Sequence, residues 1–227
     1  MKQKKKNKKS ASLAFYLAIP VSFVVAILSV LVFLSLFLRY PFDRTLWSLF
    51  VAGLLASVSI VASTSMPRFE TFIHELKHAI LVICTGNRLT DFHVDKGTGH
   101  VQYQMYTDRV HFVPFIVLAP YCLPLFSLPV LILGLALGND YHRELALALG
   151  VALGGDIALG IQELHPGQSD LKAVFGGFLL AAAYIGGILF CWTSFCFLWV
   201  LAGKKGFLFL GYELIRLGTQ IWDKFLS

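Results

Sequence analysis

Residues 11–38 run for 28 positions without an Asp, Glu, Lys or Arg, and the stretches 46–63, 110–139 and 173–203 are equally free of them. Each reaches the ~18 apolar residues that mark a membrane-spanning helix. Backbone polar groups in hydrocarbon must be satisfied within the chain, so runs of this length read as helices. Hydrophobic residues make up 57% of the sequence and charged residues 14%. The longest stretch outside the apolar runs, ending at Arg109, is only about two dozen residues, which leaves no room for a soluble domain of any size. The expected fold class is therefore an all-α polytopic membrane protein with about six transmembrane helices. The net charge of +6 comes largely from Lys2, Lys4, Lys5, Lys6, Lys8 and Lys9. Directly before an apolar run, that block reads as a topology signal holding the N-terminus in the cytoplasm rather than as a nucleic-acid site, and no nucleic-acid partner is expected. Six crossings would bring Lys204 and Lys205 to the same side.

The segment Thr71-Phe72-Ile73-His74-Glu75-Leu76-Lys77-His78 carries an HExxH motif in the front half of an apolar helix expected over 66–84. At 3.6 residues per turn His74 and His78 share one face and Glu75 lies about 100° round from His74, so two imidazoles can reach one metal while the carboxylate reaches a water bound to it. Charged groups at the bilayer centre cost about 2.5–3.5 kcal/mol each, so ionisable side chains in such a run are usually functional, paired or turned to a cavity. Ser65 as a hydroxyl cap, Pro67 in the first turn and Glu70 against the dipole mark the start of the helix, and Gly86-Asn87 its end. Lys77 is expected to snorkel or to pair with a carboxylate.

After this helix the pattern changes to period two, with Phe92, Val94, Val101, Tyr103 and Met105 around the turn 95–99, which predicts a β-hairpin. Such a hairpin could offer a strand edge to an extended substrate or serve only as a connector. The run 110–139 contains Pro114, Pro120, Pro124 and Pro129 and reads as one bent span. The span 145–162 holds a single carboxylate, Asp156, directly after Gly154-Gly155. The glycine pair permits close helix approach or local unwinding, which would let Asp156 turn toward a metal. From Lys204 onward Phe207, Leu210, Leu214, Leu217, Ile221 and Phe225 form one stripe, which predicts a helix lying on the membrane surface. Cys84, Cys122, Cys191 and Cys196 have no CxxC spacing and are expected to be buried thiols.

Taken in this order, the HExxH helix, the hairpin, an intervening span and a span bearing an aspartate resemble the core of the site-2 protease family of intramembrane zinc metalloproteases, in particular small bacterial members without a regulatory domain. The resemblance covers residues 67–203. It implies Zn2+ as cofactor, His74, His78 and Asp156 as metal ligands, and Glu75 as the catalytic residue that activates a zinc-bound water. It also implies a membrane protein as substrate, a lipid bilayer as partner, and a multi-pass location in the bacterial cytoplasmic membrane. Where the family shows Leu-Asp-Gly, this chain has Gly155-Asp156-Ile157. Gln168-Ser169-Asp170-Leu171 looks like a Ser-Asp element of some small relatives and makes Asp170 the alternative third ligand. Helix rise favours Asp156: if the HExxH helix and the Asp156 helix enter at the same level, the histidines lie roughly 12–18 Å in and Asp156 roughly 18 Å in, with Asp170 at the opposite face.

The expected organisation is thus a basic cytoplasmic N-terminus over 1–10, two accessory transmembrane helices over 11–64, the metalloprotease core over 65–203 and an amphipathic cytoplasmic tail over 204–227. The expected function is hydrolysis of peptide bonds in membrane-embedded substrates. The alternative is a membrane zinc-binding or transport protein, or an inactive relative of the protease; transport would prefer ionisable groups strung along several spans, whereas here they concentrate at one depth.

Overall fold

The computed structural model describes residues 13–39, 42–95, 97–137, 141–174 and 176–226. The basic N-terminal block, Lys96 and Asp140 lie outside these, as do the side chains of Leu217, Ile221 and Phe225. In chain order come α1 (Leu13–Phe37), α2 (Arg44–Ser63), α3 (Pro67–Cys84), β1 (Arg88–Asp95), β2 (Thr98–Gln104), a 3-10 turn (Thr107–Phe112), α4 (Val113–Cys122), α5 (Ser127–Leu137), α6 (His142–Gln162), α7 (Ser169–Ala173), α8 (Gly177–Ala202) and α9 (Lys204–Leu226). The protein is mostly helical, with one two-stranded antiparallel sheet.

Among the described residues four helices, α1, α2, α6 and α8, are long and apolar enough to cross a membrane. The six expected from the sequence shrink for two reasons. First, the polar front half of α3 keeps it out of this set. Second, the run 110–139 is broken into two helices at 123–126, and the count rises to five if that bent pair is one span. Leu123 is extended (ψ 120°), as the residue before a proline prefers, and Pro124 has no N–H with which to continue α4. The last run forms α8, preceded by the short α7, with Gly176 and Gly177 both at positive φ where α8 begins.

The packing forms two compact units. One comprises residues 1–19, 66–123 and 160–185; the other comprises 20–65, 124–159 and 186–227. In the first unit α3 begins with Pro67 at its first position, and Glu70 Oε1 accepts from the Met66 N–H at 3.0 Å, so the glutamate rather than the Ser65 hydroxyl caps the start. Its end is a Schellman motif. Gly86, at φ 69°, donates to Ile83, and Asn87 donates to Val82, which satisfies carbonyls the helix would otherwise leave open. The Asn87 side chain accepts from the Tyr106 N–H at 3.2 Å and so ties both ends of the hairpin to the end of α3. The strands pair from Arg88↔Gln104 to Asp95↔Thr98, giving a turn tighter than the five residues expected, with a bulge between Leu89 and Asp91. Phe92 meets Phe72 edge-on, laying the inner face of the hairpin along α3.

In the second unit Asp43 caps α2, accepting from the Leu46 N–H at 3.1 Å. α2 and α6 cross closely: a Cβ on Gly150 would lie 2.1 Å from the Phe50 carbonyl, and one on Gly154 would lie 2.6 Å from that of Leu54. The glycines therefore serve close approach, and α6 continues through Asp156 without unwinding. Val32 and Leu36 near the end of α1 pack with Leu198 and Leu201 near the end of α8, joined by Leu210 of α9. Hence α1 and α8 pack in parallel within this unit, with Gly187 against Ser22 and Phe23 further back along both helices. Of the described stripe residues of α9, Phe207 and Leu210 turn into the protein and Leu214 is exposed, together with Leu208, Tyr212 and Ile215.

Candidate metal centre

His74 and His78 sit one turn apart on α3, as the motif requires, with their Nε2 atoms 3.2 Å from each other. The third group of the cluster is Asp170 of α7, whose Oδ2 lies 3.4 Å from His74 Nε2 and 3.3 Å from His78 Nε2. These are the residues among those described whose ligand atoms gather closely enough to hold one ion. The triangle can be tested against zinc. Tetrahedral bonds of about 2.0–2.1 Å place neighbouring ligand atoms ~3.3 Å apart, the size of all three edges here.

The far side of each ring is also fitted for a metal. His78 donates from Nδ1 to the Ile116 carbonyl of α4 at 2.7 Å, and His74 Nδ1 contacts the Glu163 carboxylate at the end of α6. A proton held on Nδ1 leaves the Nε2 lone pairs free and pointed at the shared centre, as outer partners of ligating histidines do. Burial by itself would raise the pKa of Asp170, but while the imidazoles are protonated, hydrogen bonding from His74 and His78 and their charge outweigh it and hold the carboxyl below the usual carboxylate range; a metal would take the place of those Nε2 protons. It therefore stands ready as an anionic ligand. Tyr121 of α4 meets His74 edge-on, with ring centroids 5.9 Å apart, and its buried hydroxyl has no hydrogen-bond partner among the described residues.

Asp156, expected as the third ligand, is used differently. Its carboxylate accepts from the backbone N–H groups of Phe126 at 3.2 Å and Ser127 at 2.8 Å and from the Ser127 hydroxyl at 2.6 Å; Trp192 donates in turn to the Ser127 oxygen at 2.8 Å. α5 starts at Ser127, and its first N–H groups have no acceptor within the helix. In an apolar bundle they need one, and a carboxylate at a helix N-terminus also suits the dipole. Asp156 is thus a cap supplied from another helix.

His74 touches Glu163, one residue past the end of α6, so it is the C-terminal end of α6 that adjoins the motif. The turn 164–168 then carries Asp170 to the histidines.

Glu75, 8% exposed, projects beside the hairpin, where a Cβ on Gly99 would lie 2.6 Å from its Cγ and 2.9 Å from its Oε1. Between α3 and β2 opens a cleft of about 580 Å³, lined by His74, Glu75, His78 and Asp170 on one side and by Gly99 and Val101 on the other. Lys77 does not snorkel. It is 1% exposed and donates to the Pro120 carbonyl at 3.2 Å. Cys122 and Cys196 are buried as expected, but Cys84 is exposed.

Sequence reasoning gave no role to Glu163, to the Ile116 carbonyl or to Gly99. A signal for the first was present: Glu163 and Asp170 are the only acidic residues between Asp156 and Glu213 and flank one short polar segment. The carbonyl and the glycine carry none, because their part depends on which helix and strand face the motif. No family model matches the chain, and the searches of curated proteins and of solved structures return no match.

Proposed function

We propose that the chain is an intramembrane zinc metalloprotease in which His74, His78 and Asp170 hold the metal and Glu75 is the general base. The observation that carries this reading is the near-equilateral triangle of ligand atoms with both Nδ1 positions engaged, next to a buried glutamate in the adjacent helical position. When bound, zinc supplies Lewis acidity, lowering the pKa of a coordinated water toward 7 and polarising a carbonyl. The protein's own groups do the rest. Glu75 takes the proton of the attacking water and can return it to the leaving amine. Its burial against Gly99 fixes the carboxylate beside the histidine face. The β2 edge along the cleft suits an extended peptide, and the four apolar helices favour substrates met within a bilayer.

Elemental analysis of purified protein should find one zinc per chain. Glu75→Gln should retain that zinc and lose peptide cleavage, and comparison of membrane proteomes with and without this allele should reveal substrates that accumulate. Protein without stoichiometric zinc, or cleavage that persists in Glu75→Gln, overturns the proposal. Zinc flux in proteoliposomes that survives the substitution would instead favour transport.

A further inference from the structure

Lys77 lies within the HExxH motif, on the buried side of α3, where an ammonium group is costly unless something there requires a donor. What requires it is written at position 124. In an uninterrupted helix the carbonyl of residue 120 accepts from the N–H of residue 124. Residue 124 is proline and has no N–H. The carbonyl before it is satisfied, since Leu123 donates to Ala119 at 2.8 Å. Two carbonyls inside α4 are thus left open by prolines: that of Ile116, four before Pro120, which His78 takes, and that of Pro120, four before Pro124, in a residue that is itself buried. Lys77 Nζ reaches that oxygen.

The same short helix touches the metal ligands. Ile116 accepts from His78, Pro120 accepts from Lys77, and Tyr121 meets His74, so three contacts join α3 and α4 in antiparallel order. We propose that Lys77 is a positioning residue of the metal centre: it supplies the donor that Pro124 withholds and so fixes α4 where the Ile116 carbonyl orients His78. This rests on the metal reading above.

Swapping the donor tests the idea. Lys77→Met keeps the apolar stem and removes the donor. Pro124→Ala restores a backbone N–H and frees Leu123 to become helical. Zinc affinity and the visible spectrum of the Co2+-substituted protein are compared for wild type, Lys77→Met, Pro124→Ala and the double variant. Pro124→Ala should match wild type. Lys77→Met should bind zinc about tenfold or more weakly, with an altered Co2+ spectrum, as loss of an orienting partner does. The double variant should recover both. A Lys77→Met protein with wild-type affinity and spectrum overturns the proposal, as does a double variant no better than Lys77→Met. If Lys77→Met alone does not fold, recovery of folded, zinc-binding double variant supports the proposal and its absence overturns it. Wild type that takes no zinc sinks the metal reading itself, whereas zinc-loaded wild type beside an unaltered Lys77→Met sinks only the role of Lys77.

Discussion

Asp156 is a buried carboxylate and Asp170 a half-buried one lining the cleft, and the chain uses them in opposite ways. Asp156 sits in the middle of a 21-residue helix, and its oxygens are taken by the N–H and O–H groups that open α5. Asp170 sits on a five-residue helix in a connecting segment and faces two imidazole nitrogens across a gap that fits a metal. The difference teaches that an ionisable group in an apolar run announces a need for partners without saying which kind. A broken helix needs a carboxylate as much as a metal does.

The sharpest way to break this contrast is to remove each side chain in turn. Asp170→Ala should lower zinc affinity by well over the roughly 10–100-fold that follows loss of an outer partner, with the fold retained. Asp156→Ala should keep zinc but leave buried N–H groups unpaired, at about 1–3 kcal/mol each, read as a lower unfolding midpoint. Zinc titration with thermal unfolding distinguishes the two, and an exchange of phenotypes would return Asp156 to the metal. Next in size is Glu163→Gln, which weakens the hold on His74 Nδ1 and should reduce zinc affinity or turnover about 10–100-fold. An unchanged affinity and rate would mean that Glu163 is only a neighbour. Smaller again is Gly99→Ala. The added methyl displaces Glu75, so turnover should fall while zinc content holds, and a parallel loss of metal would show that Gly99 supports the ligands rather than the base.

Much of the first unit was legible because its signals are local. HExxH fixes His74, Glu75 and His78 on adjoining faces by helix periodicity alone, Gly86-Asn87 ends α3, and period-two alternation gives the hairpin. The second unit was legible only as apolar length. Its parallel arrangement of α1 and α8 depends on side chains far apart in sequence.

The sequence by itself determined the spacing of the two histidines and the glutamate, because 3.6 residues per turn leave that geometry no freedom. It also determined that the chain is dominated by long apolar helices. Only the tertiary structure decided which aspartate meets the histidines. That choice turns on the packing of the end of α6 against α3 and on the path of the turn after Gln162, which carry no period that a linear sequence can display.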